Sequence, residues 1–335
     1  MKENKKIKKV VFIGSDEFLF DLKNSLKNKN IEILLITNKD QNNVNSRGLK
    51  KLITNSIKNN SVKNFLNKNE VKKNNSIFIS FSSRFLFSKK IIKELFFDNL
   101  FNIHCSRLPN DKGGGGYSWR IMRNDRIGNL CIHKISNEEI DAGLIYKFHK
   151  FVIDRKLIIP EDIHRETNVK LIKFTNTFIQ DFFNKKKFST YTSANYLGSY
   201  FPRLKTSISS WIDWNEDPTD IANFINAFDD PYSGAQSLIN SKKVSRVRIK
   251  KAQLSAAEFN SNKLMRGLIY RHDENWINIS LDSKFSLIVE DVRDFNNKKV
   301  LHLLKPGDHF KSSSKLLNSR NLKRIRFGPK GLIKD

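Results

Sequence analysis

The chain has 335 residues, of which 39% are hydrophobic and 26 are Phe, so it can build two domains with sizeable cores. Its two cysteines, Cys105 and Cys131, supply neither a disulfide framework nor a metal-ligand set, and no apolar run reaches the roughly 18 to 20 residues that span a bilayer. The formal net charge of +27 invites a nucleic-acid reading, but the lysines are spread along the chain among abundant Asn and Ile, as an AT-rich coding sequence would place them on ordinary surface.

The first residues run straight into a strand-like segment with no signal-peptide pattern, so a cytoplasmic setting without membrane insertion is expected. Apolar runs at Lys9–Gly14 and Ile31–Thr37 read as buried strands, with a helix over Phe18–Leu26 between them. A second helix is expected over Leu49–Ile57 and a third strand over Ser76–Phe81. A helix over Ile91–Phe97 then leads to a short strand, Leu100–His104. Such alternation implies a Rossmann-like α/β domain with a parallel-type sheet and ligands at the strands' C-terminal ends. The single Gly14 after the first strand disfavours a dinucleotide, whose fingerprint needs three glycines. Gly113 to Gly116 lack the Lys-Ser/Thr of a phosphate loop and read instead as a place where backbone approaches a ligand closely.

Another strand, Leu130–Ile135, precedes an acid-rich turn, and Glu161–Phe183 has helical spacing. Composition changes over Thr192–Ile208, and beyond it come a helix at Ile221–Ala227 and five short strand-like runs between Ser237 and Val292. Short strands so spaced suggest a small C-terminal β-barrel, OB-like in kind. The expected division is 1–198 as catalytic domain, 199–220 as linker and 221–335 as β-rich domain.

Asn102, His104 and Asp141 form the candidate catalytic trio: an amide to donate to an oxyanion, an imidazole to move a proton, and a carboxylate to orient the imidazole. Cys105 would face away from His104 on a strand and reads as a structural thiol. His133 and His149 lack ligand-type neighbours and read as structural, Glu138 and Glu139 read as solvated turn residues, and no cluster has metal spacing.

Asn102-Ile103-His104-Cys105-Ser106-Arg107-Leu108-Pro109 resembles the N-x-H-x-S-x-L-P signature of the formyltransferases that use 10-formyltetrahydrofolate, and Ile140-Asp141-Ala142-Gly143 resembles their D-x-G loop. Cys105 stands where members usually have Pro or Gly, and Ala142 where they have Thr. The resemblance implies that the backbone of the segment from Ser82 to Phe87 borders the pterin pocket, with Arg84, Phe85, Leu86 and Phe87 as the folate-binding residues. It likewise implies acceptor contacts at Ser106, Gly115, Tyr117 and Trp119. The later segments Ser199–Leu204, Trp211–Trp214 and Ala227–Ala235 look like the linker and C-terminal domain of methionyl-tRNA formyltransferase and the sugar N-formyltransferases. Glycinamide ribonucleotide formyltransferase is similar only over the first domain.

The glycine run followed by Tyr117-Ser118-Trp119, and the Tyr200-Phe201-Pro202-Arg203-Leu204 segment, look more like the sugar enzymes. The tRNA enzymes are expected to carry a basic insertion after the second strand, whereas Asn38–Ser61 here is short. The resemblance therefore implies formyl transfer from 10-formyltetrahydrofolate to the amine of a nucleotide-linked amino sugar, with initiator Met-tRNA as the alternative acceptor. A non-catalytic folate- or sugar-binding protein on the same fold is the third reading. The acceptor's sugar and base, and whether the chain forms a homodimer, stay open.

Overall fold

Strands buried on both faces need near-continuous apolar runs, and Val10–Ile13, Ile33–Ile36 and Ile77–Ile79 provide them. The computed structural model describes residues 7–322 except 28, 43–45, 59, 115, 136–139 and 193–197, and beyond these only 326–328 and 331–333. The first half runs β1 (Lys8–Gly14), α1 (Leu19–Leu26), β2 (Ile31–Thr37), β3 (Lys50–Ile53), α2 (Asn60–Lys68), β4 (Ser76–Phe81), α3 (Lys89–Phe96) and β5 (Leu100–His104). It continues with β6 (Asp111–Gly113), α4 (Gly116–Met122), β7 (Ile127–Lys134), β8 (Ile145–Val152) and α5 (Pro160–Phe183).

One seven-stranded sheet has the order β3-β2-β1-β4-β5-β7-β8. The pairings from β3 to β5 are parallel, as the alternation of strands and helices predicts. The pairings β5–β7 and β7–β8 are antiparallel, so the parallel expectation fails for the last two strands. The connection after β5 spends its residues on β6 and α4, so the chain re-enters the sheet from the edge it left. The order reverses between β1 and β4, and the loops leaving these strands flank the crevice there.

The helix expected over Leu49–Ile57 is absent. Lys50–Ile53 pairs in parallel with Leu34–Thr37 as an edge strand, and the helix forms later, over Asn60–Lys68. Lysines at Lys50 and Lys51 suit an edge, where they discourage pairing with another chain. The other helices follow the local signals. Ser88 caps α3 by accepting from Ile91 N–H, and Pro160 opens α5 with Glu161 and Asp162 in its first turn. The α5 residues Leu171, Phe174 and Phe178 pack on the sheet with Phe101, Ile103 and Leu130.

The second half contains β9 (Ser199–Phe201), α6 (Thr206–Ser209), α7 (Pro218–Ala227), β10 (Ala235–Asn240), β11 (Arg246–Ala256), β12 (Ile269–His272), β13 (Ile277–Ser280) and β14 (Phe285–Arg293). It ends with β15 (His309–Lys311), α8 (Ser314–Leu322) and a hairpin of β16 (Arg326–Gly328) and β17 (Gly331–Ile333). Strands β10 to β15 form a six-stranded antiparallel sheet in the order β12-β13-β14-β11-β10-β15. A single bridge between Leu268 and His309 joins its two edges. Contacts that tie the halves together include Ser118 Oγ donating to Ala227 O at 2.8 Å and β9 pairing in parallel with β6.

Candidate active site

β5 ends at the C-terminal edge of the sheet, and its alternation sends Phe101 and Ile103 into the core while Asn102 and His104 share the other face. β7 runs antiparallel beside it, with His133 opposite Asn102 and Cys131 opposite His104. Asp141 lies between β7 and β8 in a left-handed conformation, φ 55°, which a short polar side chain tolerates. The loop closes tightly at Gly143, where a Cβ would lie 1.6 Å from Lys134 O. The trio therefore assembles from one strand and one loop.

The contacts around Asp141 are dense. Gly113 N–H donates to Oδ2 at 2.8 Å, His133 Nε2 lies 3.3 Å from Oδ1, and His104 Nδ1 lies 3.8 Å from Oδ2. Burial opposes ionisation of this carboxyl, but the two imidazoles and the Gly113 N–H outweigh it and hold its pKa well below the usual carboxylate range. His104 Nε2 donates to the backbone carbonyl of Asp111 at 2.7 Å. Asn102 Nδ2 lies 3.1 Å from His133 Nε2. An amide nitrogen has two N–H bonds, so one directed at His133 leaves the second for a reacting oxygen.

His133 reads from the sequence as a structural residue without ligand-type neighbours, and the fold places it beside two members of the trio. It is 2% exposed and stands between Asn102 and Asp141. Its two contacts need opposite protonation of Nε2, since the nitrogen accepts from an amide N–H when bare and donates to a carboxylate when protonated. The sequence signal was a polar residue at the end of an otherwise apolar strand; its partners are visible only once β5 and β7 are in register.

The acceptor residues expected from sequence are only partly brought to the trio. Ser106 is buried, and its carbonyl accepts from Asn129 Nδ2 at 3.0 Å. Gly115 lies outside the described residues. Tyr117 hydrogen-bonds Cys105 and packs edge-on to His164, with ring centroids 5.7 Å apart, so its side chain serves the interior away from His104. The Trp119 indole N–H donates to Pro202 O at 2.8 Å and its ring packs on Phe201, which makes it a partner of β9. Burial pushes the Cys105 thiol up to about 12, in keeping with an inert side chain.

The segment expected to border folate with its backbone keeps two of its side chains turned inward. The side chains of Phe85 and Phe87 point into the core with Ile91 and Phe96, so they have only backbone to offer a ligand. Leu86 is exposed, and Arg84 pairs with Asp40 at 2.8 Å beside the crevice between β1 and β4. Gln41 Nε2 donates to Ser82 O at 2.7 Å and fixes the start of this loop.

A family model, Formyl transferase, C-terminal domain, matches residues 206–304. The methionyl-tRNA formyltransferase of Coprothermobacter proteolyticus is 30% identical over 256 residues, covering 72% of this chain and 80% of the relative. The chain belongs to the formyltransferase family. Among solved structures, this formyltransferase is similar to an N-formyltransferase from Helicobacter canadensis in complex with folinic acid and dTDP-3-aminofucose, with a TM-score of 0.60 at 21% identity, covering 84% of this chain and 99% of that one. It is also similar to WlaRD, a sugar 3N-formyl transferase solved with dTDP and 5-N-formyl-THF, with a TM-score of 0.59 at 23% identity over 85% and 97% of the two chains. No helix among the described residues of the formyltransferase is long and apolar enough to cross a membrane.

Proposed function

We propose that this formyltransferase moves a formyl group from 10-formyltetrahydrofolate to the primary amine of a nucleotide-linked amino sugar. The observation that carries formyl transfer is the convergence of Asn102, His104 and Asp141, with the carboxylate within ion-pair distance of the imidazole at 3.8 Å. The acceptor nitrogen forms a bond to the formyl carbon, the bond from that carbon to N10 breaks, and one proton passes from the amine to N10. Asn102 donates to the oxygen that gains negative charge, His104 carries the proton, and Asp141 steadies the imidazole while it is charged.

The sugar acceptor is supported by the segment after β2, where the tRNA enzymes are expected to project a basic insertion. Here Lys51 Nζ reaches back to Asn42 Oδ1 and Ser46 Oγ, and Gln41 holds Ser82, so the connection is short and folded onto the body. Solved relatives of like fold are described with dTDP and a dTDP-amino sugar.

Initiator Met-tRNA is the second reading, favoured by the 30% identical relative and by a basic, aromatic-lined face of the C-terminal sheet. There the Arg246 guanidinium lies 5.2 Å from the Trp211 ring and 4.7 Å from Phe295, and Arg248 lies 4.6 Å from Phe295. Turnover with 10-formyltetrahydrofolate, offered a panel of nucleotide-linked amino sugars and Met-charged initiator tRNA, separates the readings. Formylation of one or more sugars and not the tRNA is the expected result. Formylation of the tRNA alone overturns the acceptor, and no transfer to any amine overturns the activity in favour of a binding protein.

A further inference from the structure

β6 contributes no member of the trio, yet it carries two of the contacts that orient it. The Asp111 carbonyl takes His104 Nε2, and the Gly113 N–H takes Asp141 Oδ2. A strand of three residues cannot hold itself in place, and two devices hold this one. The first grips the Asp111 carboxylate, whose side chain is 7% exposed. Arg123 Nη1 donates to Oδ1 at 3.1 Å and Arg107 Nε to Oδ2 at 3.3 Å, while both arginines also reach Asp125. The second is β9, which pairs with β6 along its length. Gly114 N–H donates to Phe201 O at 2.9 Å, and the Arg123 guanidinium stacks on the Phe201 ring at 4.3 Å, so one arginine belongs to both devices. Gly113 sits at φ +93°, and a Cβ there would lie 2.3 Å from Phe201 O, so only glycine lets β9 come this close.

We infer that Arg107, Asp111 and Arg123, locked to β9 through Phe201, are positioning residues for the formyl transfer proposed above, and that they set which nitrogen of His104 is the base. A carbonyl oxygen only accepts, so its contact with Nε2 requires the proton of neutral His104 on that nitrogen. Nδ1 then keeps its lone pair. It takes the proton of the attacking amine, the new charge forms 3.8 Å from Asp141 Oδ2, and the same proton passes to N10 as the carbon–nitrogen bond breaks. His104 ends as it began. Among the described contacts Arg107 and Arg123 reach the trio through Asp111, so their loss displaces His104 and removes no reacting group.

This inference rests on the formyl-transfer reading, and its test has one readout that does not. In protein labelled with nitrogen-15 at histidine, long-range correlation spectra at a pH where His104 is neutral report its tautomer. The wild type is expected to show the Nε2–H form, and Arg123→Ala a mixture of the two forms. Arg123→Ala is also expected to lower kcat by about tenfold to a hundredfold, the scale of a small misplacement of a reacting group, with KM held within about twofold. Arg123→Lys, which keeps a charge on Asp111, should recover part of both. An Nδ1–H tautomer in the wild type overturns the inference, and so does a folded Arg123→Ala variant with unchanged tautomer and kcat. Should Arg123→Ala fail to fold, Phe201→Leu removes the stacking alone and decides by the same two measurements. A wild type that formylates no acceptor, yet loses the Nε2–H tautomer in the variants, would end the formyl-transfer reading and leave the positioning of His104 standing.

Discussion

Asp141 is buried and ionised, with the Gly113 N–H on one oxygen and two imidazoles within ion-pair distance, so removing its charge should affect chemistry and stability together. Asp141→Asn keeps the shape and loses the orientation of His104. A steady-state assay should show kcat lower by roughly 10² to 10⁴, the range of a general acid–base contribution. An undiminished kcat would remove Asp141 from the mechanism. The acid limb of the stability curve gives an independent check. The folded pKa of Asp141 lies below the unfolded value of about 3.9, so its contribution is present above that value and is lost as the pH falls from there towards the folded pKa. Burial likewise opposes the charge of Asp111, but Arg123 and Arg107 outweigh it and pull its pKa below the usual range, so its contribution has the same sign. Urea midpoints of the wild type should therefore fall on acidification below about pH 4, and less steeply in Asp141→Asn. At this scale residue types and a short motif sufficed to single out Asn102, His104 and Asp141, which the fold brings close together. The sequence did not show the contacts of His133 with Asn102 and Asp141, because the neighbours of a side chain depend on which strands the fold brings beside it.

Among the elements, the strands and long helices of the first half followed from apolar runs and end signals, and Pro160–Phe183 agrees closely with its expected helix. The segment at 49–57 misled because leucine and lysine are good helix formers, and an edge strand of four residues, only partly buried, has too few apolar contacts to show a period of two. Its conformation is set by the exposed edge of β2, which is a tertiary fact. The strands β6 and β9 were equally hidden, since each has three residues and owes its existence to the other. The loop carrying Asp141 gives an element-scale prediction. In Gly143→Ala the added methyl would meet Lys134 O at 1.6 Å, so the loop must shift and Asp141 with it. Denaturant titration should show a loss of roughly 1–3 kcal/mol, the scale of overpacking, together with impaired transfer. A stable variant with wild-type turnover would show that the loop can move without consequence.

The molecule as a whole carries a formal net charge of +27, so self-repulsion should weigh on stability. Raising the salt to about 0.15 M, where the screening length is about 8 Å, should raise Tm. A falling Tm would mean that attractive pairs such as Lys9–Glu32–Lys50 and Arg107–Asp111–Arg123 dominate instead. The sequence by itself determined the α/β class of the first half, the β-rich character of the second and the family, and it singled out Asn102, His104 and Asp141 as candidates. All of these reside in composition, periodicity or motifs a few residues long. Only the tertiary structure decided the antiparallel end of the main sheet, the place of His133 between Asn102 and Asp141, and the pairing of β6 with β9 that seats His104 and Asp141. Those features are contacts between segments far apart in the chain, and no local preference encodes a partner that lies elsewhere.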